Sequence, residues 1–235
     1  MQRPKLRRHD KIHRSTEQMS ILTAYENFTF SIIPCDLHVA REMIRRQGAQ
    51  WENIFEIDED VHRDVRIIYD SPDGPKRYPS INVGILLSEV DGNDGKKTLF
   101  VSSVTDGYSS MIFCISKLIP GAHFKFDVSR PDLLYPGNAI RVLEDGKNVR
   151  TVYSMRDGER WVFFENGHPF PFEETDLCLA RRKRDRLTPE IISTYLERIG
   201  YGSLKREFWI NATAPARLLA MSSFRFCRPD DNINT

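Results

Sequence analysis

Phe28, Phe30 and Ile32 alternate with Asn27, Thr29 and Ser31, the period-two pattern of a half-buried strand that Pro34 ends. Asp36 then offers an N-cap to a helix running to Arg46, with Leu37, Ala40 and Ile44 at spacings of three and four and Gly48 as its stop. Between 49 and 63 the pattern breaks: Trp51, Ile54, Phe55 and Ile57 stand among Glu52, Glu56, Asp58, Glu59 and Asp60, an acidic segment pinned by aromatics. Val65 to Tyr69 reads as a short strand, followed by the turn residues Ser71-Pro72-Asp73-Gly74-Pro75 and two stronger strands, Ile81 to Val90 and Thr98 to Val104. Asp91-Gly92-Asn93-Asp94-Gly95 between those two is hairpin chemistry, because Gly and Asn tolerate positive φ.

The most regular helical pattern follows. Behind Asp106-Gly107, the residues Tyr108, Met111, Ile112, Ile115, Leu118 and Ile119 fall on one face, and Pro120-Gly121 ends the run. A strand with Phe124, Phe126 and Val128 on alternate positions comes next, then Ala139 to Leu143, Val149 to Met155 and Arg160 to Phe164. The last three are joined by Asp145-Gly146 and Asp157-Gly158, so they form a meander. His168 to Glu174 is an irregular apolar strap rich in Pro and Phe that covers the sheet. A helix from Asp176 to about Arg184 is expected, then a second with Thr188 as N-cap, Pro189 and Glu190 in its first turn, and Ile191, Ile192, Tyr195, Leu196 and Ile199 on one face before Gly200. Beyond it, Phe208, Trp209, Ile210, Leu218 and Leu219 mark a partly ordered stretch, and Pro229 to Thr235 a frayed end.

These elements define an α+β protein: a mixed, mainly antiparallel sheet with a meander, packed by a few amphipathic helices. Residues 21 to 228 form one domain, with a possible subdivision near 92 to 98. With 40% hydrophobic residues and 25 aromatics (14 Phe, 8 Tyr, 3 Trp) in 235, composition fits a globular chain and excludes a disordered or fibrous one. The near-neutral total, 34 basic against 33 acidic residues, conceals a block structure. Residues 1 to 20 hold six basic and two acidic groups, 21 to 175 hold 17 and 24, and 176 to 235 hold 11 and 7. An acidic body thus lies between basic ends, and residues 1 to 20 read as a mobile basic tail.

No apolar run follows that tail or reaches the roughly 18 residues a membrane helix needs, so neither a secretory signal nor a spanning segment is expected. Four cysteines without a CxxC pair point away from zinc, redox motifs and a disulfide scaffold, and toward a reducing, cytoplasmic compartment. Candidate chemistry is sparse. The histidines are scattered singly in the folded part, no HExxH, GxSxG, SxxK or P-loop occurs, and no metal or cofactor is expected. Pro131-Asp132 with Asp145-Gly146-Lys147 fits the PD-(D/E)xK nuclease pattern, in which two carboxylates hold a divalent cation and the lysine positions water. Asp145-Gly146 is also a hairpin turn, however, and Pro72-Asp73 with Asp94-Gly95-Lys96 matches the same pattern. Arg181, Arg182, Lys183, Arg184 and Arg186 form a basic cluster suited to phosphates, or to a solvated helix face. Glu56, Asp58, Glu59, Asp60 and Asp64, beside Trp51 and Phe55, form an acidic patch with aromatic anchors that would steer a basic protein partner.

From Thr105-Asp106-Gly107-Tyr108 to Phe172, the capped helix, the strand Ala122 to Ser129, and the meander ending in Arg160-Trp161-Val162-Phe163-Phe164-Glu165-Asn166-Gly167 with the Pro169-Phe170-Pro171-Phe172 strap resemble bacterial immunity proteins of polymorphic-toxin systems. The resemblance covers under half of the chain, roughly 105 to 175, and brings no active-site residues with it. It implies a cytoplasmic α+β protein that binds and blocks a cognate toxin without a cofactor. The acidic body suits a basic toxin such as a nuclease; the basic tail departs from the pattern. A nucleic-acid-binding or nuclease-like protein is the alternative, using the basic cluster and Asp132, Asp145 and Lys147.

Overall fold

The computed structural model describes residues 20–75, 82–210 and 212–227. The tail expected over 1 to 20 lies almost wholly outside them, as does the end expected to fray. The described chain builds one nine-stranded sheet in the order β2-β9-β3-β4-β1-β5-β6-β7-β8. Its strands are β1 (Asn27–Ile33), β2 (Ile57–His62), β3 (Gly84–Gly92), β4 (Gly95–Ser102), β5 (His123–Ser129), β6 (Gly137–Glu144), β7 (Lys147–Asp157), β8 (Arg160–Asn166) and β9 (Pro215–Ala220). All of these pairings are antiparallel, so the sheet is not mixed. The β3–β4 ladder runs unbroken to Gly92↔Gly95, through the stretch where a subdivision was considered.

Alternation along the strands divides the core into two layers. On one face Phe28, Phe30, Ile32, Leu86, Phe126, Ile140, Val152 and Leu218 pack with Trp209, the strap residue Phe172 and the helix α4 (Pro189–Ile199). On the other, Ile33, Ile85, Leu87, Phe100 and Leu219 pack beneath α1 (Leu37–Gln50) and α3 (Ser109–Ile115) through Ala40, Ile44, Met111, Ile112 and Ile115. Each such side chain contributes about 1.5–3 kcal/mol by leaving water. No described helix is long and apolar enough to cross a membrane.

Several local expectations hold. Asp36 accepts from the Val39 amide, Thr188 from the Ile191 amide, and Gly200 closes α4 in the left-handed region. Asp145 and Gly146 both take positive φ, the signature of a type I′ turn. Others fail for identifiable reasons. Val65 to Tyr69 is not a strand: Ile67 and Ile68 are both buried, and residues 66–69 coil into α2 (Arg66–Tyr69) above the core. Gly48 does not stop α1. It sits inside the helix because a Cβ there would lie 2.6 Å from the Phe55 ring and 2.7 Å from the Asn53 carbonyl, so only glycine lets the chain fold back underneath. The helix expected from Asp176 is two short 3-10 turns, Thr175–Leu179 and Lys183–Asp185, with no buried residue in either. The stretch after α5 (Arg206–Trp209) is far more than partly ordered, since β9 inserts between β2 and β3.

Candidate functional site

The acidic segment is the best starting point, because sequence singled it out as a partner surface. Residues 57–62 form an edge strand paired with β9, in which Asp58 faces α1 and Asp60 reaches Arg217 of β9. Arg41 and Arg45 of α1 and Arg217 of β9 all donate to the Asp58 carboxylate, and Arg217 also reaches Asp60 at 2.6 Å. Partial burial pushes the Asp58 carboxyl up, but the hydrogen bonds from Arg41, Arg217 and Arg45 outweigh it and hold it down at about 2. Asp64 is buried and bonded to the Arg66 guanidinium, where it starts α2. Phe55 is buried in the layer under α1, and Trp51 is half-buried with its ring 6.0 Å from that of Tyr108. Glu56 and Glu59 remain exposed. Much of the segment's charge is therefore met inside the molecule, and its aromatics serve packing.

The nuclease pattern is not assembled. Asp132 lies in the loop before β6, paired with Arg130 at 2.8 Å, whereas Asp145 and Lys147 lie at the turn after β6. The eight residues of β6, a strand about 26 Å long, run between that loop and that turn. Among the described residues no group of three His, Cys, Asp or Glu side chains is placed to hold a metal ion. His123 is fully buried, with Nδ1 3.0 Å from the Gly121 carbonyl, and burial pushes its imidazole down to about 4, which keeps it neutral. The basic cluster splits in two. Arg181, Arg182, Lys183 and Arg184 are exposed, while Arg186 is held by the Ala180 carbonyl and lies over the Phe163 ring.

A different region draws attention, one that residue-type reasoning had passed over. The helices α1 and α3 cover β9, β3, β4 and β1, but the same face continues over β6, β7 and β8 with no described helix above it. Met155 and Phe164 there are 44% and 43% exposed, the Tyr153 and Phe164 rings stack at 5.2 Å and 21°, and Val162 lies beside Met155 in register. Leu134 and Tyr135, in the loop entering β6, are 67% and 61% exposed. The border between covered and uncovered halves is polar. Lys125 is buried and ion-paired with Asp127, which also accepts from Thr29 Oγ1 at 3.1 Å.

The reverse side of the bare region is tightly anchored. Arg150 is fully buried, donates to Glu173 and Glu165, and reaches the Gly167 carbonyl at 2.9 Å, tying the strap to β7 and β8. Ser154 Oγ donates to the Lys183 carbonyl at 2.8 Å. The signal for this arrangement is the alternation in 153–164, which puts Tyr153, Met155, Val162 and Phe164 on one face and Ser154, Arg156, Trp161 and Phe163 on the other. A further side chain of note is Arg63, which is buried with its guanidinium 3.9 Å from the Phe208 ring; burial pushes it down to about 10. A cleft of about 350 Å³ is lined by Phe124, Phe170, Phe172, Tyr201 and Lys97, with Lys97 paired to Asp94 at 3.1 Å.

Searches against protein families, curated proteins and solved structures return no match to this chain.

Proposed function

We propose that this is a non-enzymatic binding protein that neutralises a toxin by direct contact, in the manner of the immunity proteins its central region resembles. The observation that carries the reading is the uncovered half of the sheet face, where Met155, Phe164, Tyr153 and Val162 lie near the exposed Leu134 and Tyr135. A rigid sheet presenting aromatic and Met side chains, bordered by charge, is the anatomy of a protein interface. The exposed Glu56 and Glu59 favour a basic partner through longer-range steering. Action in the cytoplasm accords with Cys35, Cys114 and Cys178 being thiols outside any disulfide.

The test is co-expression with the product of the adjoining gene, the expected toxin. Growth should be rescued by the wild-type chain and lost with Met155→Glu combined with Tyr153→Glu, while the variant remains folded. An unaffected rescue by that variant would remove the surface from the reading, and a non-toxic neighbour would remove the reading itself. Exposure of Arg181, Arg182 and Arg184 favours nucleic acid as the second reading. That reading requires binding that weakens steeply as salt rises.

A further inference from the structure

β8 is an outer strand of the sheet, and its register with β7 runs from Asp157↔Arg160 to Thr151↔Asn166 without a bulge. The two-residue turn at Gly158 and Glu159 makes Asp157↔Arg160 a hydrogen-bonded pair. By alternation, Arg160, Val162, Phe164 and Asn166 direct their N–H and C=O groups to β7, and Trp161, Phe163 and Glu165 direct theirs outward. No described residue bonds to those three outward pairs. Such an edge is a template for another strand unless charge, proline or a bulge protects it, and from Trp161 to Phe164 there is none of these.

We propose that β8 is a self-association edge: two copies of this chain pair their β8 strands antiparallel about a two-fold axis at Phe163, joining two nine-stranded sheets into one. The strand is complementary to itself in that register. A two-fold axis normal to the sheet keeps each face on its own side, so opposed residues share a face. Centring at Phe163 sets Phe163 against Phe163, Trp161 against Glu165, Val162 against Phe164 and Arg160 against Asn166. All three outward pairs on each strand are then used, giving about six backbone hydrogen bonds. On the uncovered face an unbroken apolar row forms, Tyr153 and Phe164 of one copy followed by Val162 and Met155 of the other. Shifting the centre to Val162 opposes Glu159 to Glu165, and shifting it to Phe164 sets Val162 against Asn166 and wastes the apolar row.

On the other face the basic segment packs over β7 and β8, so the pair brings Arg181 to Arg184 of the two copies toward each other. Added salt screens that repulsion and tightens the dimer, the reverse of its effect on a nucleic-acid complex. The paired surface is small beside the roughly 1,200–2,000 Å² of a stable complex, so the association is weak and depends on concentration.

The test is sedimentation equilibrium of the full chain from about 1 to 200 µM, at about 50 and 300 mM salt, with residue-resolved amide exchange at both ends of the concentration range. The expected result is a dimer that strengthens with salt, with the Trp161, Phe163 and Glu165 amides protected only when concentrated. Phe164→Lys, at an exposed position, should weaken it at least about tenfold while leaving the circular dichroism and melting temperature unchanged. Asp60→Lys on the opposite edge should have no effect on association. A chain monomeric throughout overturns the proposal, as does a dimer that survives Phe164→Lys or protects amides elsewhere.

Discussion

At one edge of the sheet, β2 carries Asp58, Glu59 and Asp60 in succession, and Arg41, Arg45 and Arg217 converge on its carboxylates. At the other, β8 carries Trp161, Val162, Phe163 and Phe164 in succession, and Phe164 stands 43% exposed. Both strands are short, antiparallel and outermost. The difference lies in what an approaching strand would meet. At β2 it would have to desolvate charges already engaged with arginines, which is costly, whereas at β8 it would find apolar side chains and open backbone groups. The first edge is closed by its chemistry and the second is left available. The contrast predicts that damage to β8's anchoring is expensive, damage to β2's charges is cheap, and only β8 governs association.

The largest effect is expected at Arg150, which fastens the inner side of β8 to the strap. Its guanidinium is 1% exposed and Glu173 only 5%, so Arg150→Met leaves a buried carboxylate without its cation. The expected loss is about 3–5 kcal/mol in urea unfolding. Replacing both residues by apolar ones of similar size should recover much of it, since no uncompensated charge then remains. A single substitution that costs under about 1 kcal/mol would show that the strap does not hold the edge.

Next comes Gly48, which shapes the approach to β2. A Cβ there meets the Phe55 ring and the Asn53 carbonyl, and neither can retreat because Phe55 is itself core. Gly48→Ala is expected to cost about 2 kcal/mol, read from the urea midpoint at unchanged slope.

These two sites also show what sequence could and could not convey. Caps, turns and alternation are local chemistry, so Asp36, Thr188, Gly200 and Asp145-Gly146 announced their structures directly. Gly48 carried the same local mark as a helix stop, yet its cause is a ring seven residues later, which no short window contains. Likewise Pro215 to Ala220 is too short to stand out, and it becomes a strand because β2 and β3 both supply ladders for it. Charge was legible in sequence as a block, whereas its pairing was not. The acidic run is visible in sequence, but the arginines that meet it come from 41, 45 and 217, far apart along the chain. The apolar β7–β8 face was present in the alternation, although nothing local said that α1 and α3 would stop short of it.

The clamp on Asp58 makes a smaller, pH-dependent prediction. Its carboxyl is held at about 2 in the folded protein, below the roughly 3.9 of an unfolded aspartate. A depressed carboxyl contributes stability that is fully present above the unfolded value and is lost as pH falls through the folded one. The clamp should thus contribute about 1 kcal/mol at pH 7, after allowance for solvent screening, and fade between about pH 4 and pH 2. Asp58→Asn should remove that part of the acid limb from a series of unfolding curves. A variant whose acid limb superimposes on the wild type's would show that the three arginines leave the carboxylate's proton affinity unchanged.

The smallest effect on stability is expected at Asp60, where the two edges can be compared most directly. Its side chain is 90% exposed and shares Arg217 with Asp58. Removing it leaves Arg217 with a better-buried carboxylate, so Asp60→Val should change unfolding free energy by no more than about 0.5 kcal/mol. Its consequence should instead appear in association, because valine there replaces a charge on β2 with the kind of side chain β8 already carries. If charge is what closes this edge, the variant should gain a second mode of self-association that persists when Phe164→Lys has silenced β8. Sedimentation of the double variant reads this directly. A double variant that stays monomeric would mean that Asp58 and its arginines close β2 without help from Asp60, and would place the difference between the edges in that clamp.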